Sequence, residues 1–338
     1  MSASASVPSR ALGHGLIVSA QGFGAMGLSS TYGAADREES IGTLHAALDA
    51  GVTLIDTADI YGNGDNERLV GEVLRTRRSE VVLATKVGFL PEPDADGLRV
   101  DGSPDHVRAA VERSLERLGV DRIDLYYYHR VDPRIPIEVT VEAFAGLRDE
   151  GIIDHVGLSE VTAGELERAA SIAPISAVQS EWSVWSRDIE DRVVPTAARI
   201  GAGVVAYSPL GRGFLAGPVA LAAGDNRRNF PRFDAEHRAA NEVIARGVRA
   251  VADRVGASPA QVALAWLDVR AAELGATVVP IPGTRRAARV RENLAAVDVL
   301  LGAADLAELN ALAAAVRGDR ARDALSISQG RERAAVTG

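Results

Sequence analysis

From about residue 16 the chain repeats one pattern: a short apolar run, a polar loop, then an amphipathic stretch. The apolar runs lie at 18–23, 53–56, 81–85, 123–128, 155–158, 177–179, 204–207 and 277–279. They are short, rich in β-branched residues and show little alternation, as expected of strands buried on both faces of a parallel sheet. Residues 38–50 carry Ile41, Leu44 and Leu48 on one helical face, behind Asp36 and Glu39 as a capping box. Residues 104–118 open after Ser103 with Pro104 in the first turn and carry Val107, Val111, Leu115 and Leu118 on one face. Further helices are predicted at 138–150, 164–171, 189–200, 259–271 and 286–295, with capping boxes at Thr162/Glu165 and Ser258/Gln261. Gly51, Gly119, Gly151, Gly201 and Gly275 each stand between a helical stretch and a strand, where left-handed C-caps sit.

Eight strand-like runs interleaved with helices predict an α/β fold, a (β/α)8 TIM barrel in a single domain over residues 11–316. A doubly wound sheet is the rival. Residues 15–18 are expected to form a short N-terminal hairpin strand under the barrel. The helix at 235–255 reads as an insertion, and 216–233 as a long loop on the functional, C-terminal face. The tail, 317–338, has little pattern and is expected either to fold over the barrel mouth or to be partly disordered.

Composition narrows the function. Apolar residues make up 47% and charged residues 25%, enough to fill a large core. The formal charge of −9 argues against nucleic acid or an anionic membrane as partner. Without Cys, disulfides, thiolate catalysis and zinc–thiolate sites are excluded, and the six His form no i, i+4 pair, so no metal is expected. Residues 1–10 lack a basic segment followed by an apolar run, and no apolar stretch is long enough to span a bilayer, so a cytoplasmic location is expected. Oligomeric state leaves no signal.

Gly22-Phe-Gly-Ala-Met-Gly27 matches a dinucleotide-binding fingerprint literally. That fingerprint must lead straight into a helix, and here a Ser/Thr/Gly loop follows. A tight bend off a strand, or a loop lying against a ligand, remain as the readings.

In such barrels chemistry sits where strands end. Asp56, Lys86 and His129 each close a predicted strand, and Tyr61 follows Asp56 by five residues. Singly, each has an ordinary reading: a capping Asp, a strand-end ion pair, a satisfied His, a loop aromatic. Together they make a proton-transfer set. A carbonyl that accepts hydride needs a proton, and Tyr, with a pKa of about 10, is a poor acid until a nearby ammonium favours its phenolate. Asp56 would anchor Lys86, and His129 would orient and polarise the substrate oxygen. Two rivals stand beside this: a barrel enzyme forming a Schiff base through Lys86, and a cofactor-binding barrel serving as a regulatory subunit.

The segments Leu54-Ile-Asp-Thr-Ala-Asp-Ile-Tyr-Gly62, Ala84-Thr-Lys-Val-Gly88, Asp121-Arg-Ile-Asp-Leu-Tyr-Tyr-Tyr-His129, Ala206-Tyr-Ser-Pro-Leu-Gly-Arg-Gly213 and Val279-Pro-Ile-Pro-Gly-Thr284 resemble, in this order, the aldo-keto reductase family. The branch they most resemble is the YakC-like or perakine-reductase-like one. The resemblance implies NADPH-dependent, reversible reduction of an aldehyde or ketone to an alcohol, with Asp56, Tyr61, Lys86 and His129 as the catalytic set. It implies that NADPH/NADP+ lies extended across the barrel mouth. Ser159 and Gln179 would hold the nicotinamide carboxamide, Tyr207 would stack under the ring, and Ala25 and Met26 would meet the nicotinamide side. Ser208, Leu210, Gly211 and Gly213 would follow the pyrophosphate, Gly283, Thr284, Arg285 and Arg289 would clamp the adenosine phosphate, and Glu292 and Asn293 would meet adenine. Arg285, Arg286, Arg289 and Arg291 cluster in an otherwise acidic chain, which suits a 2′-phosphate. One departure stands out: Glu160 follows Ser159 where the wider family has Asn, and a carboxylate only accepts. Met26, Tyr32, Phe89, Tyr128, Trp182, Trp185 and the 216–233 loop are expected to wall the substrate pocket, which predicts a carbonyl compound with apolar surface.

Overall fold

A computed structural model describes residues 7–29, 31–94, 99–222 and 224–337. Its centre is a ring of eight parallel strands: β3 (Phe23–Gly24), β4 (Leu54–Asp56), β5 (Val82–Val87), β6 (Ile123–Tyr128), β7 (Ile153–Ser159), β8 (Ile175–Glu181), β9 (Gly203–Tyr207) and β10 (Val278–Pro280). Each pairs with its neighbour in chain order. Below them β1 (Ser9–Ala11) and β2 (Ile17–Ser19) form the N-terminal antiparallel hairpin. The (β/α)8 barrel predicted from the pattern is the fold.

The sparse alternation has a direct cause. Leu54, Ala84, Leu125, Tyr127, Ala177, Val205 and Val279 point inward and fill the barrel with Leu12, Leu16 and Val18 of the hairpin. Their neighbours Ile55, Leu83, Tyr126, Tyr128, Val178, Val204 and Val278 point outward under the helices. Both faces are apolar, so period two barely shows. Arg10 locks the hairpin to the wall, donating to both carboxylate oxygens of Asp268 (2.7 and 2.9 Å) and to the Val278 carbonyl (2.6 Å).

The seam of the barrel explains the glycine motif. Gly22 N–H donates to Pro280 O at 3.0 Å, joining the first strand to the last. A Cβ on Gly24 would stand 2.8 Å from Ile281 O, and one on Gly283 would stand 2.5 Å from Gly24 O. These glycines let two backbones touch. The predicted run 18–23 is accordingly two elements, β2 below and β3 in the wall. The Ser19 hydroxyl, donating to Gln21 O at 2.6 Å, marks the turn between them.

Around the ring run α1 (Arg37–Asp49), α2 (Asp65–Arg77), α3 (Pro104–Leu118), α4 (Ile137–Asp149), α5 (Ala163–Ile172), α6 (Val193–Arg199), α7 (Ala235–Val255), α8 (Pro259–Glu273), α9 (Ala287–Leu294), α10 (Ala303–Leu312) and α11 (Ser328–Thr337). Thr162/Glu165 and Ser258/Gln261 form reciprocal capping boxes. Asp36 caps α1 by accepting from Glu39 N at 2.8 Å, a single bond and not a reciprocal box. Helix α2 escaped the sequence pattern because charged residues flank its apolar core of Leu69, Val70, Val73 and Leu74. The stretch 189–200 is a 3-10 turn, Asp188–Glu190, followed by the shorter α6.

Gly157 of β7 faces the Tyr127 ring inside the barrel. A Cβ there would lie 2.4 Å from Tyr127 Cδ1, so the ring occupies the space a side chain would need. Gly157→Ala is expected to cost about 1–3 kcal/mol through overpacking, read as a lower urea midpoint with unchanged slope.

Candidate active site

The C-terminal ends of β4, β5, β6 and β8 bring Asp56, Lys86, His129 and Gln179 to one side of the barrel. Lys86 is wholly buried. Its ammonium donates to Asp56 Oδ1 at 2.5 Å and to Thr57 O at 2.7 Å. The other Asp56 oxygen accepts from Gln179 Nε2 at 2.7 Å, so the carboxylate is held from both sides. Tyr61 opens a 3-10 turn, Tyr61–Gly64, that returns its ring over the pair. Lys86 Nζ lies 5.1 Å from the ring centroid and acts on the phenol by charge and side-chain hydrogen bonding. The His129 ring meets Tyr61 edge-on at 6.0 Å and Phe89 edge-on at 4.7 Å. All four predicted strand-end and loop residues therefore stand together at one end of the barrel.

Burial raises the Tyr61 pKa, and Lys86 only partly offsets it. The sequence reading had Lys86 lowering that pKa. In the folded chain desolvation wins, and the phenol keeps its proton through neutral pH. Lys86, although desolvated, is held above its ordinary pKa by Asp56 and Tyr61. A protonated amine with its donors committed is not a Schiff-base nucleophile. His129 is pushed well below 6.5 by burial, then by Arg130 and Lys86, so its imidazole is neutral. Its Nδ1 is buried and, among the described residues, has no hydrogen-bond partner.

The family model of the Aldo/keto reductase family matches residues 21–314. The chain belongs to the aldo/keto reductase family. Three solved structures are similar along their whole length. The thermostable aldo-keto reductase Tm1743, solved with the inhibitor epalrestat, is 28% identical with a TM-score of 0.72, covering 90% of this chain and 99% of that one. Glycerol dehydrogenase AKR11B4 from Gluconobacter oxydans is 27% identical with a TM-score of 0.79, covering 92% and 96%. The aldo-keto reductase AKR11C1 from Bacillus halodurans, in its holo form, is 26% identical with a TM-score of 0.74, covering 94% and 99%. As an aldo/keto reductase the protein is an oxidoreductase acting on carbonyl groups. No helix among the described residues is long and apolar enough to cross a membrane.

The remaining residues expected in this aldo/keto reductase's cofactor site divide by what they already hold. Gln179 has committed its amide nitrogen to Asp56, which leaves its carbonyl oxygen as the available acceptor. The Ser159 hydroxyl accepts from Arg130 Nη1 at 3.2 Å. Tyr207 hydrogen bonds through its hydroxyl to Glu160 Oε1 at 2.8 Å. Ala25 is fully covered, whereas Met26 is half-buried. Ser208, Gly211 and Gly213 share positive φ, and Gly211 and Gly213 donate their N–H groups to Ser208 O and Leu210 O. At Gly211, φ is 56° and a Cβ would lie 2.7 Å from the Trp185 ring, so only glycine serves.

Beyond β10 the picture departs from the sequence reading. The Arg285 guanidinium donates to the carbonyls of Gly27, Gly33, Ala34 and Ser29, at 2.7, 2.9, 2.8 and 3.4 Å. It ties the first loop to the segment before α9, with all three guanidinium nitrogens engaged by backbone carbonyls. Arg286 and Arg289 are exposed, and among the described residues neither guanidinium has a partner. Thr284 Oγ1 accepts from Arg286 N at 3.1 Å. Glu292 is half-buried, and Asn293 is buried with its carbonyl bound to Gln21 Nε2 at 2.8 Å.

The expected aromatic wall is also smaller. Trp182 is fully buried, its indole N–H held by Glu190 at 3.0 Å, and Glu190 is gripped in turn by Arg187 and Arg270. Trp185 stacks on Phe214 at 4.9 Å beneath the Gly211 turn, and Tyr128 lies buried under α4 against Phe144. Met26, Tyr32 and Phe89 keep partial exposure. Two neighbours escaped the sequence reading. Arg130, next to His129, reaches Ser159 and lies 5.4 Å from the Phe89 ring; its place right after a strand end was the available signal. Arg212 stacks at 3.9 Å on Phe230 and bonds Tyr32 Oη at 3.4 Å, bridging the long loop to the first one.

The neutral His129 gives a pH signature. Below about 6.5 the unfolded imidazole binds a proton that the folded site refuses, so stability falls as pH falls. Between pH 7.5 and 5.5 the wild type is expected to lose about 1.4 kcal/mol more than His129→Gln, measured by urea unfolding at both pH values.

Proposed function

We propose that this protein reduces an aldehyde or ketone to an alcohol, reversibly, with NADPH as cofactor and Tyr61 as proton donor. The observation that carries the reading is the buried Asp56–Lys86 pair beneath a protonated Tyr61, with a neutral His129 beside it. When bound, the nicotinamide supplies a hydride to the carbonyl carbon. The chain's own residues handle the rest. His129, as a neutral imidazole, donates a hydrogen bond to the carbonyl oxygen and fixes its direction. As charge grows on that oxygen, the Tyr61 O–H passes its proton to it, completing the alcohol. Lys86 then neutralises the phenolate left behind, and Asp56 keeps Lys86 in place. The phenol is reprotonated through the open mouth.

The residues present fit a phosphorylated dinucleotide. Gln179 offers an amide oxygen and Ser159 a hydroxyl to the carboxamide, and Tyr207 offers a ring face for stacking. For the 2′-phosphate we favour Arg289 together with Arg286, supported by their exposure without partners, while Arg285 contributes through the loop it anchors. The pyrophosphate would run along Ser208, Leu210, Gly211 and Gly213, and adenine would lie by Glu292 and Asn293. Placement in the YakC-like or perakine-reductase-like branch rests on the five motifs in their order, and Glu160 in place of the wider family's Asn is a departure that this branch tolerates. The functional unit we assign is one barrel, 11–316, with the tail 317–338, working in the cytoplasm on a small-molecule carbonyl.

Tyr61→Phe is expected to lower NADPH turnover on an aldehyde panel by roughly 10²–10⁴-fold with the Kd for NADPH within about threefold. Near-normal turnover removes the assignment. A wild type that binds NADPH tightly yet reduces nothing on the panel favours a regulatory barrel instead. Arg289→Ala is expected to weaken NADPH binding roughly tenfold, about the worth of one charge-assisted contact, and to leave NADH binding unchanged in the same titration.

A further inference from the structure

Glu160 is fully buried at the end of β7 and holds a left-handed backbone, φ 51°, that a non-glycine residue rarely adopts. The described residues direct six hydrogen bonds to its carboxylate. Oε1 accepts from Glu181 N at 3.1 Å, from the Tyr207 hydroxyl at 2.8 Å and from Arg320 Nη1 at 2.9 Å. Oε2 accepts from Arg320 Nη2 at 3.1 Å and from Ser328 N and Oγ at 3.1 and 2.9 Å. The backbone carbonyl of Glu160 accepts from Arg331 Nη2 at 2.5 Å. Three residues of the C-terminal tail thus converge on one residue of the barrel mouth. Arg320 is almost wholly buried and takes Asp188 Oδ2 at 2.9 Å as a second carboxylate partner.

The geometry fixes more than the tail. Arg320 and the Tyr207 hydroxyl share one oxygen of Glu160. Tyr207 has only two side-chain torsions, so pinning its hydroxyl pins the plane of its ring. With the oxygens of Glu160 so occupied, the carboxylate is turned to the tail rather than to a cofactor amide. A buried carboxylate also cannot keep its position once its cation is removed.

We propose that Arg320 is a positioning residue for the reaction: through Glu160 it sets the plane of the Tyr207 ring, which makes the C-terminal tail a working part of the cofactor platform. This rests on the reading of Tyr207 as the stacking ring under the nicotinamide. The ring plane decides the angle at which a hydride donor lies over the carbonyl, and small errors in that angle lower the rate of transfer more than the affinity.

The test is a double-mutant cycle in the full-length protein, with NADPH and 4-nitrobenzaldehyde as the carbonyl probe. Tyr207→Phe removes only the hydroxyl, Arg320→Met removes the cation, and the third variant carries both. Each single variant is expected to lower kcat about tenfold with the KM for the aldehyde within about threefold, and to raise the deuterium isotope effect with labelled NADPH. The double variant is expected to fall no further than the worse single one, because both cut the same link. Adding Glu160→Gln to Arg320→Met is expected to recover part of the loss, since the unpaired charge goes with it. Losses in kcat that multiply in the double variant overturn the proposal, and so does a folded Arg320→Met with wild-type kcat. Where Arg320→Met does not fold, Tyr207→Phe decides alone: unchanged kcat and isotope effect overturn it. Loss of the underlying reading looks different, for then the wild type itself fails to consume NADPH with the probe.

Discussion

A charged amine with no exposed surface must carry its own countercharge, and that constraint organises the upper half of this barrel. Lys86 satisfies it through Asp56 on the neighbouring strand and the carbonyl of Thr57. Asp56, itself buried and pushed toward its neutral form, needs a second donor, which Gln179 brings from the far side of the ring. Strands β4, β5 and β8 are therefore tied through side chains as well as through the ladder. Tyr61 stands over the same pair, its ring centroid 5.1 Å from the ammonium.

A second buried charge system lies next to the first. Glu160 and Glu181, at the ends of β7 and β8, are met by Arg320 and Arg232, with Ser186 bridging Arg232 and Glu181. Removing one partner of such a pair typically costs about 3–5 kcal/mol, whereas replacing the whole set by apolar residues is often neutral. Its value is therefore placement: it joins elements that are far apart in sequence to one rim. The long loop is tied in by similar means. Arg227 closes on Asp225 and lies 5.2 Å from the Tyr32 ring, while Asn226 N–H donates to Thr31 O at 3.1 Å, which spans the opening from β9 to the first loop.

Much of this was legible in the chain. Strand ends announced Asp56, Lys86 and His129, since a polar group that closes an apolar run faces the barrel mouth by construction. The helix at 104–118 was readable from Ser103 and Pro104, and the one at 235–255 as an inserted helix ahead of the Ser258 cap. What stayed hidden depended on partners distant in sequence. The four carbonyls that capture Arg285 come from a loop some 250 residues earlier, so clustering with other arginines suggested a phosphate instead. Trp182 is the exception: Glu190 lies only eight residues on, but nothing in the pattern showed that the turn at Asp188–Glu190 folds back onto the indole N–H. The first strand read as one run because barrel closure, not hydrophobic period, cuts it. Arg320 lies in a stretch with no periodicity, and only its companion across the barrel gives it meaning.

Tyr127 has a further consequence. Its ring plugs the barrel 5.8 Å from the Lys86 nitrogen, over Leu125, Leu54 and the hairpin residues Leu12 and Leu16. Among the described residues, the buried cluster that this ring joins is otherwise aliphatic, with Ala84, Ala177, Val205 and Val279 among its members. An aliphatic floor can neither hydrate the ammonium nor share its charge, so every compensating group has to come from the rim above it.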